Sequence, residues 1–305
     1  GLEARAHQLV IKYSSAWSFL VPEILQIDES TIESFVSSYD KLKRYEFDLK
    51  LINEKRPHIL DANTEKLLTE AQDALSTPSN VYGMFSNADL EFEDAIDKDG
   101  NTHSLTQGTF IKYLESDDRH LRESAFRNVY KAYGSHNNTL GATLAGEVKK
   151  NVFNARTHNY NSARERALSN NHIPEEVYDN LVKTVHKYLP LLHRYTKLRK
   201  ELLGIEDLKM YDLYTPLVKD VKFEMPYEEA KSWMLKALEP MGEEYLNVVK
   251  EGLENRWVDV YENKGKRSGG YSSGAHLTNP FILLNWSNTV SDLYTLVHEL
   301  SLIHI

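Results

Sequence analysis

The chain has 305 residues, of which 41% are hydrophobic and 27% are charged, and it contains no cysteine. With 36 Lys and Arg residues against 45 Asp and Glu residues, its net charge of −9 argues against a surface that coats nucleic acid and against a polybasic membrane anchor. The missing thiols exclude disulfides, a cysteine nucleophile and thiolate-bound zinc, so a metal would have to use His, Asp or Glu.

Apolar residues recur every three or four positions through the first quarter of the chain, as in Phe35, Tyr39 and Leu42. This spacing predicts three or four antiparallel, amphipathic helices up to about residue 76, with Asp28 as an N-cap. The Ser-Thr-Pro-Ser-Asn stretch at residues 76–80 predicts a loop and a domain boundary. We therefore expect a helical N-terminal domain over residues 1–78 and a second domain over residues 79–305.

A β-hairpin is predicted over residues 90–110, because Asp99 and Gly100 suit a turn that needs a positive φ. Asp97, Asp99 and Asn101 also alternate in the way that ligands alternate in a calcium-binding loop, which is the alternative. That loop would lack its bidentate Glu at position 12 and a clean pair of flanking helices. The hairpin is therefore the favoured interpretation.

Residues 112–204 are predicted to be almost entirely helical. One helix is expected to have Ser116 or Asp117 as its N-cap. Another is expected to begin around Pro174. The proline ring suits the first turn of a helix, and acidic residues follow it in the sequence. The aromatic residues of this region could form a stacking surface for nucleic-acid bases, but at this net charge a helical core is the better interpretation.

An extended segment is predicted over residues 208–216, followed by an amphipathic helix that starts near Tyr227 and continues beyond Pro240 toward Asn255. The pattern then changes to alternating and Gly/Ser-rich sequence. Immediately after residue 255 the sequence pattern therefore no longer predicts a helix.

Short strands are predicted at residues 257–261 and 279–286, on either side of a Gly/Ser-rich stretch. A final helix is expected to begin near Ser291 or Asp292. The chain is therefore expected to be mainly α, with a small antiparallel β element before its last helix.

The last helix carries His298 and Glu299, the pair that begins the His-Glu-x-x-His signature of zinc peptidases. In that signature four residues turn the helix by about 400°, which brings both imidazoles to one side to share a zinc ion. Here position 302 is Leu302, and His304 lies about 120° away around a regular helix, so it cannot supply the second ligand. A His-Glu pair alone is weak evidence, and a capped helix with exposed polar residues is the alternative.

The sequence around His298 and Glu299 is more specific than the pair itself. The block from Asn255 through the Gly/Ser-rich stretch and Trp286 to Leu300 strongly resembles the oligoendopeptidase F family, bacterial relatives of thimet oligopeptidase among the zinc peptidases. Residues 210–214 and the turn at residues 98–101 are also similar to that family. The resemblance runs in one collinear order along essentially the whole chain as far as Leu300.

The resemblance implies a multi-helical, zincin-like zinc endopeptidase that acts on short peptides, with its active site in a channel between two helical halves. Carried over by position, it makes His298 the first Zn²⁺ ligand and Glu299 the general base. An edge strand beside the active-site helix could pair with the substrate backbone, and glycine would allow that close approach. The candidates for this strand are Gly269, Gly270, Tyr271, Ser272 and Ser273, with a plain glycine-rich turn as the alternative.

The resemblance stops abruptly at Ser301. The second His of the motif and the third ligand, a Glu on a later helix in the family, have no counterpart here. The resemblance implies that about half of a family member is absent, namely a smaller N-terminal piece and nearly all of the chain after the motif. Residues 300–305 read as one frame of a common transposon-end sequencing adaptor, so we expect genuine coding sequence to end at or near Leu300. A natural pseudo-enzyme with a diverged motif is the alternative.

The intact protein is thus expected to be a cytoplasmic zinc metalloendopeptidase with short peptide substrates and no nucleic-acid or membrane partner. The 305-residue chain, as an incomplete catalytic domain, is expected to be inactive. The rival hypothesis is a helical scaffold or peptide-binding module without chemistry. It explains the helices, but it gives no reason for a glycine-rich strand pair that leads into a His-Glu helix.

Overall fold

The computed structural model describes residues 1–218 and 224–302. His304, which the sequence excludes as a ligand, lies outside the described residues with the rest of 303–305. The chain divides into two compact units, one formed by Gly1–Tyr82 and Asn138–Tyr188 and the other by Gly83–Asn137 and Leu189–Ile305. The expected boundary after residue 78 stays a prediction.

The mainly α fold is confirmed, since helices account for most of the described residues. No helix among them is both long and apolar enough to cross a membrane. In chain order the α-helices are α1 (Leu2–Trp17), α2 (Leu20–Ile24), α3 (Glu29–Ser38), α4 (Asp40–Lys43), α5 (Glu46–Glu54), α6 (Ala62–Leu75), α7 (Thr77–Met84), α8 (Gln107–Leu114), α9 (Arg119–Gly134), α10 (Asn137–Thr157), α11 (Ala163–Ser169), α12 (Glu175–Leu203), α13 (Tyr227–Ala237), α14 (Glu243–Glu254) and α15 (Val290–Leu302).

The described strands form two small sheets. Strands β1 (Ala95–Ile96) and β2 (Thr102–His103) form an antiparallel hairpin. Strands β3 (Val258–Asp259), β4 (Tyr271–Ser273) and β5 (Phe281–Leu283) form a sheet in the order β3-β5-β4. The predicted antiparallel pairing is confirmed between β4 and β5, and β3 adds a parallel pair on the other side of β5.

The loop predicted at residues 76–80 is wrong, because α7 begins at Thr77. Pro78 lies in the first turn of this helix, where its missing N–H and fixed φ are compatible with helical structure. Its ring lies so close to Gly146 of α10 that a Cβ at Gly146 would be 2.7 Å from the Pro78 Cγ. The proline therefore serves as a helix start and a packing contact.

The predicted hairpin is confirmed around Gly100, which has a φ of 85°. The Asp97 carboxylate accepts hydrogen bonds from the backbone N–H groups of Asp99 and Asn101, from the Asn101 side chain and from the His103 ring. These bonds, that from His103 foremost, hold the pKa of Asp97 well below its ordinary 3.8. The hairpin is shorter than predicted, because α8 begins at Gln107.

The N-cap predicted at Ser116 or Asp117 is instead Asp118, whose carboxylate accepts from the N–H groups of His120 and Leu121. The carbonyls of Ser116 and Asp117 accept from the Arg122 guanidinium. Arg122, which belongs to α9, thus binds the backbone of these two residues, and the helix begins after them. The predicted helix start after Pro174 is confirmed, with α12 beginning at Glu175.

The single helix predicted through Pro240 is wrong, because α13 ends at Ala237 and α14 begins at Glu243. Between them a short 3₁₀ turn contains Pro240, and Gly242 has a φ of 90°. Proline removes a helical N–H, and a positive φ takes the chain out of a right-handed helix. The helix is therefore broken at this point.

The segment predicted as extended around residue 212 forms a 3₁₀ turn, Met210–Asp212, that buries an ion-pair cluster. The Asp212 carboxylate is fully buried, 3.0 Å from Arg119 Nη2 and 2.9 Å from Arg122 Nη2, and it also accepts from the Lys209 N–H. Arg199 of α12 donates to the Thr215 carbonyl oxygen at 2.5 Å. These contacts join the 209–215 segment to α9 and to the end of α12.

Burial alone would raise the pKa of Asp212, but the hydrogen bonds from Arg119 and Arg122 outweigh it, so this pKa lies below its ordinary 3.8. Because the folded-state pKa is depressed, the ionised carboxylate contributes stability above about pH 4. That contribution is lost as the pH falls through the lowered pKa.

We expect Asp212→Asn to lower the free energy of unfolding by about 3–5 kcal/mol at pH 7, because it leaves the 3% exposed Arg122 without its counter-ion. Urea unfolding followed by circular dichroism measures the loss. The matched control is Asp207→Asn, since Asp207 is 71% exposed and pairs with Lys209 at the surface. The control should cost less than about 1 kcal/mol, and equal losses in the two variants would contradict a buried cluster.

Candidate active site

Helix α15 begins one or two residues before its predicted start, at Val290, because Thr289 and Asp292 cap it reciprocally. The Asp292 carboxylate accepts from the Thr289 N–H at 2.8 Å, and the Thr289 hydroxyl accepts from the Asp292 N–H at 3.2 Å. The same carboxylate oxygen accepts from the Ser287 N–H at 3.0 Å. This arrangement satisfies the first orphan donors of the helix and fixes its point of origin.

The inward face of α15 determines how the helix is rotated. Leu296 and Leu300 are fully buried in a core cluster with Ile282 of β5 and with Ala230 and Met234 of α13. Residues at i, i+3 and i+4 share one face of a helix. Position 299 therefore lies on the buried face, and position 298 lies on the other side.

The candidate residues His298 and Glu299 are accordingly separated by burial. Glu299 is 7% exposed, whereas His298 is exposed. The buried Oε2 atom of Glu299 has no hydrogen-bond partner in the described part of the chain. A carboxylate oxygen removed from water without a donor is costly, so this atom is the polar group of α15 that most needs an explanation.

The candidate residues 269–273 end in an edge strand. Tyr271, Ser272 and Ser273 form β4, which pairs on one side with β5 in the register Tyr271↔Leu283 and Ser273↔Phe281. Since the strand order is β3-β5-β4, the other side of β4 has no strand partner within the described residues. Its outward backbone N–H and C=O groups are therefore placed where an extended chain could pair with them.

Gly270 brings this strand against the helix. A Cβ at position 270 would lie 2.8 Å from the Thr295 Cγ2, closer than side chains tolerate, and 3.4 Å from the Leu284 Cδ2. The preceding Gly269 has a φ of 89°, and its carbonyl oxygen accepts from Asn285 Nδ2 at 2.8 Å. The two glycines thus have distinct roles, since one makes the turn into β4 and the other permits contact with α15.

Sequence reasoning missed a cavity of about 250 Å³ beside the start of β4, lined by Gly269, Gly270 and Thr295 and by the carboxylates of Glu115 and Asp292. Burial raises the pKa of Glu115, and the negative charge of Asp292 raises it further. Glu115 belongs to the turn that follows α8, far from α15 in sequence. No local pattern around it signals that it faces Asp292, so only the tertiary structure identifies the pair.

His298 is the candidate metal ligand of α15. Within residues 1–218 and 224–302, no group of three or more His, Asp or Glu side chains is arranged to hold a metal ion. A catalytic zinc site takes three protein ligands. The described residues therefore do not fit a metal site by themselves.

Comparisons with known proteins match nearly the whole chain. The profile of peptidase family M3 matches residues 112–301, and the oligopeptidase F profile matches residues 23–92. Oligopeptidase PepF of Bacillus subtilis is 54% identical over 98% of this chain and 45% of its own length. Group B oligopeptidase PepB of Streptococcus agalactiae is 44% identical over 97% of this chain and 49% of its own. The chain thus spans about half the length of the curated relatives it matches.

Solved structures give the same relationship. The crystal structure of oligoendopeptidase-F from Enterococcus faecium aligns with a TM-score of 0.69 and 43% identity, covering 82% of this chain and 47% of that one. A putative peptidase from Chlamydophila abortus aligns with a TM-score of 0.68 and 32% identity, covering 97% and 49%. The similarity therefore extends to the arrangement of helices and strands.

We expect Gly270→Ala to lower the free energy of unfolding by about 1–3 kcal/mol, because the new methyl group overlaps the stiff Thr295 side chain. Adding Thr295→Ser removes the Cγ2 atom and should restore most of the loss, as measured by thermal unfolding of the single and double variants. Gly274→Ala is the control, since its Cβ would meet Pro280 at an ordinary 3.7 Å. A double variant no more stable than Gly270→Ala would contradict the close contact.

Proposed function

The chain belongs to peptidase family M3, a family of metallopeptidases, and on that premise we propose that it carries part of the active site of a zinc-dependent oligoendopeptidase for short peptides. The whole protein has the length of the relatives and acts in the cytoplasm. In it, residues 1–78 form a helical N-terminal domain, and residues 79–305 form the first part of the catalytic domain.

The observation that carries the proposal is the contrast between the two neighbouring residues of α15. The buried Oε2 atom of Glu299 has no hydrogen-bond partner among the described residues, and His298, about 100° further around the helix, is exposed. The resemblance places the general base of the family at Glu299, and a carboxylate oxygen without a donor is free to bind another group. We assign that role to Glu299, and we assign to His298 the role of one zinc ligand.

The edge strand supports peptide binding in the same place. An extended peptide can add to the open side of β4 through main-chain hydrogen bonds, which recognise any sequence. Since α15 touches the start of β4 at Gly270 and Thr295, a peptide on this strand runs beside the helix that carries His298. Residues 269–273 are therefore our candidates for substrate binding.

The described donors do not complete a metal site, so the proposal requires further ligands from polypeptide that this chain does not contain. Zinc supplies a Lewis acid for peptide hydrolysis when it is bound. The 305-residue chain alone is accordingly expected neither to hold catalytic zinc nor to cleave peptides.

These roles are tested with a chimaera in which this chain replaces the aligned stretch of Oligopeptidase PepF from Bacillus subtilis. We expect it to hydrolyse a quenched fluorescent peptide in a chelator-sensitive manner. Glu299→Gln should lower kcat/KM by about 10²–10⁴-fold through loss of the base. His298→Ala should lower both zinc content, measured by atomic absorption, and activity.

Two variants at exposed positions serve as matched controls. His193→Ala on α12 and Glu254→Gln at the end of α14 change the same residue types outside α15 and should leave kcat/KM within about twofold. Full activity in the His298→Ala or Glu299→Gln chimaera, or chelator-sensitive hydrolysis by the 305-residue chain alone, would refute the proposal.

A further inference from the structure

Residues 266–270, which we call the β4 turn, lead directly into the edge strand. Gly269 and Gly270 favour flexibility here, since glycine loses more conformational freedom on folding than any other residue. In the structure the turn is nevertheless bound by two side chains from outside it. One belongs to α8 and the other follows β5, and both lie in the same compact unit as the turn.

Gln107, the first residue of α8, binds the middle of the β4 turn. Its Oε1 atom accepts from the Ser268 hydroxyl at 2.9 Å. Its Nε2 atom donates to the Ser86 carbonyl oxygen at 2.7 Å and to the Tyr133 hydroxyl at 3.1 Å. The amide is thus fixed at both of its ends, so it holds Ser268 in a defined position although the two residues are 161 positions apart in the sequence.

Asn285, which follows β5, binds the backbone of the β4 turn. Its Nδ2 atom donates to the carbonyl oxygen of Arg267 at 3.0 Å and to that of Gly269 at 2.8 Å. These carbonyls belong to the residues immediately before and after Ser268. The backbone of the turn is therefore held at the same point as its side chain.

The hydrogen bonds of β5 determine which backbone groups of β4 are open. The N–H groups of both neighbours of Leu283 donate to carbonyls within residues 257–259, on the β3 side, at 2.7 and 2.8 Å. Successive N–H groups of a strand point to opposite sides, so the Leu283 N–H points to β4. Its register partner Tyr271 therefore pairs with β5, and the N–H and C=O groups of Ser272 face the open side of β4.

A peptide that pairs with Ser272 needs β4 in its ordered, extended form. If the glycine-rich β4 turn were free to move, each binding event would have to order it, and that loss of entropy would reduce affinity. Resting on the proposed function for its peptide substrate, we propose that Gln107 and Asn285 are positioning residues. Their amides hold the β4 turn so that Ser272 is presented to the substrate backbone before the substrate arrives.

These contacts with the β4 turn contribute little to the stability of the fold. The bonds from Asn285 lie at the exposed surface, and the bond from Ser268 to Gln107 is only partly buried. Water can therefore replace the lost partner, and no fully buried polar group of the turn is left unsatisfied. We expect substitutions at Ser268 and Asn285 to change peptide affinity more than stability.

The test compares Ser268→Ala, which removes the hydroxyl that binds Gln107, with Ser268→Thr, which keeps it. Both are made in the Glu299→Gln form of the chimaera, so that the peptide stays intact. We expect the Kd of a fluorescein-labelled peptide, measured by anisotropy, to rise about 3- to 10-fold in Ser268→Ala, through the loss of one hydrogen bond, and to stay within about twofold in Ser268→Thr. Asn285→Ala should raise the Kd by at least as much as Ser268→Ala.

The kinetics of the chimaera with an intact Glu299 give a second readout. A backbone contact that is made equally in the bound substrate and in the transition state affects KM and not kcat. We expect Ser268→Ala and Asn285→Ala to raise KM by the same factors as Kd and to leave kcat within about twofold. Glu299→Gln instead lowers kcat, so the two kinds of effect are distinguishable.

Hydrogen exchange in the 305-residue chain shows whether the β4 turn itself is loosened. The amide of Tyr271, which pairs with β5, should exchange about 3- to 10-fold faster in Ser268→Ala than in the unmodified chain or in Ser268→Thr. The matched control is Ser135→Ala, which removes a hydroxyl that binds the Ala132 carbonyl at the exposed end of α9. It should change neither the exchange nor the Kd.

An unchanged Kd in Ser268→Ala or in Asn285→Ala would overturn the proposal even if exchange becomes faster, because the contacts would then be purely structural. An equal rise of Kd in Ser268→Thr would also overturn it, since the hydroxyl would not be the cause. A chimaera that binds the peptide with the expected pattern but does not hydrolyse it would refute the proposed function and leave this inference standing. An active chimaera whose Kd and KM are unaffected by these substitutions would do the reverse.

Discussion

The candidate active site depends on the burial of Leu296 and Leu300 in the core beneath α15. These two side chains meet Ile282 of the sheet and Met234 of α13, and their contact sets the rotation of the last helix. With that rotation fixed, Glu299 lies on the inner side and His298 on the outer side. The chemistry proposed for the pair therefore rests on ordinary hydrophobic packing, which holds a costly buried carboxylate in place.

Sequence patterns predicted those features whose causes are local. The periodicity of residues 112–204, the positive φ at Gly100 and the strand at residues 281–283 all arise from neighbouring residues. The incorrect or missed predictions have causes that are distant in sequence or that compete with a local pattern. Asp212 is buried because arginines 90 and 93 residues away bind it, and Glu115 meets Asp292 only through the tertiary fold. At Pro240, apolar periodicity extended the predicted helix past a residue that ends it.

Family membership and local geometry support the assignment in different ways. The profile match identifies the chain as a member of peptidase family M3, while the structure brings a glycine-dependent edge strand against the His-Glu helix.

The contact between Gly270 and Thr295 has a mechanical consequence. There is no room for even a methyl group between them, so the start of β4 and the middle of α15 are in direct contact. Pressure that moves the start of β4 toward α15 therefore acts on the helix that carries His298 about one turn further on. Substrate seating and metal ligation would then be linked by rigid contact, so a poorly fitting peptide would misalign the reaction centre without ever touching it.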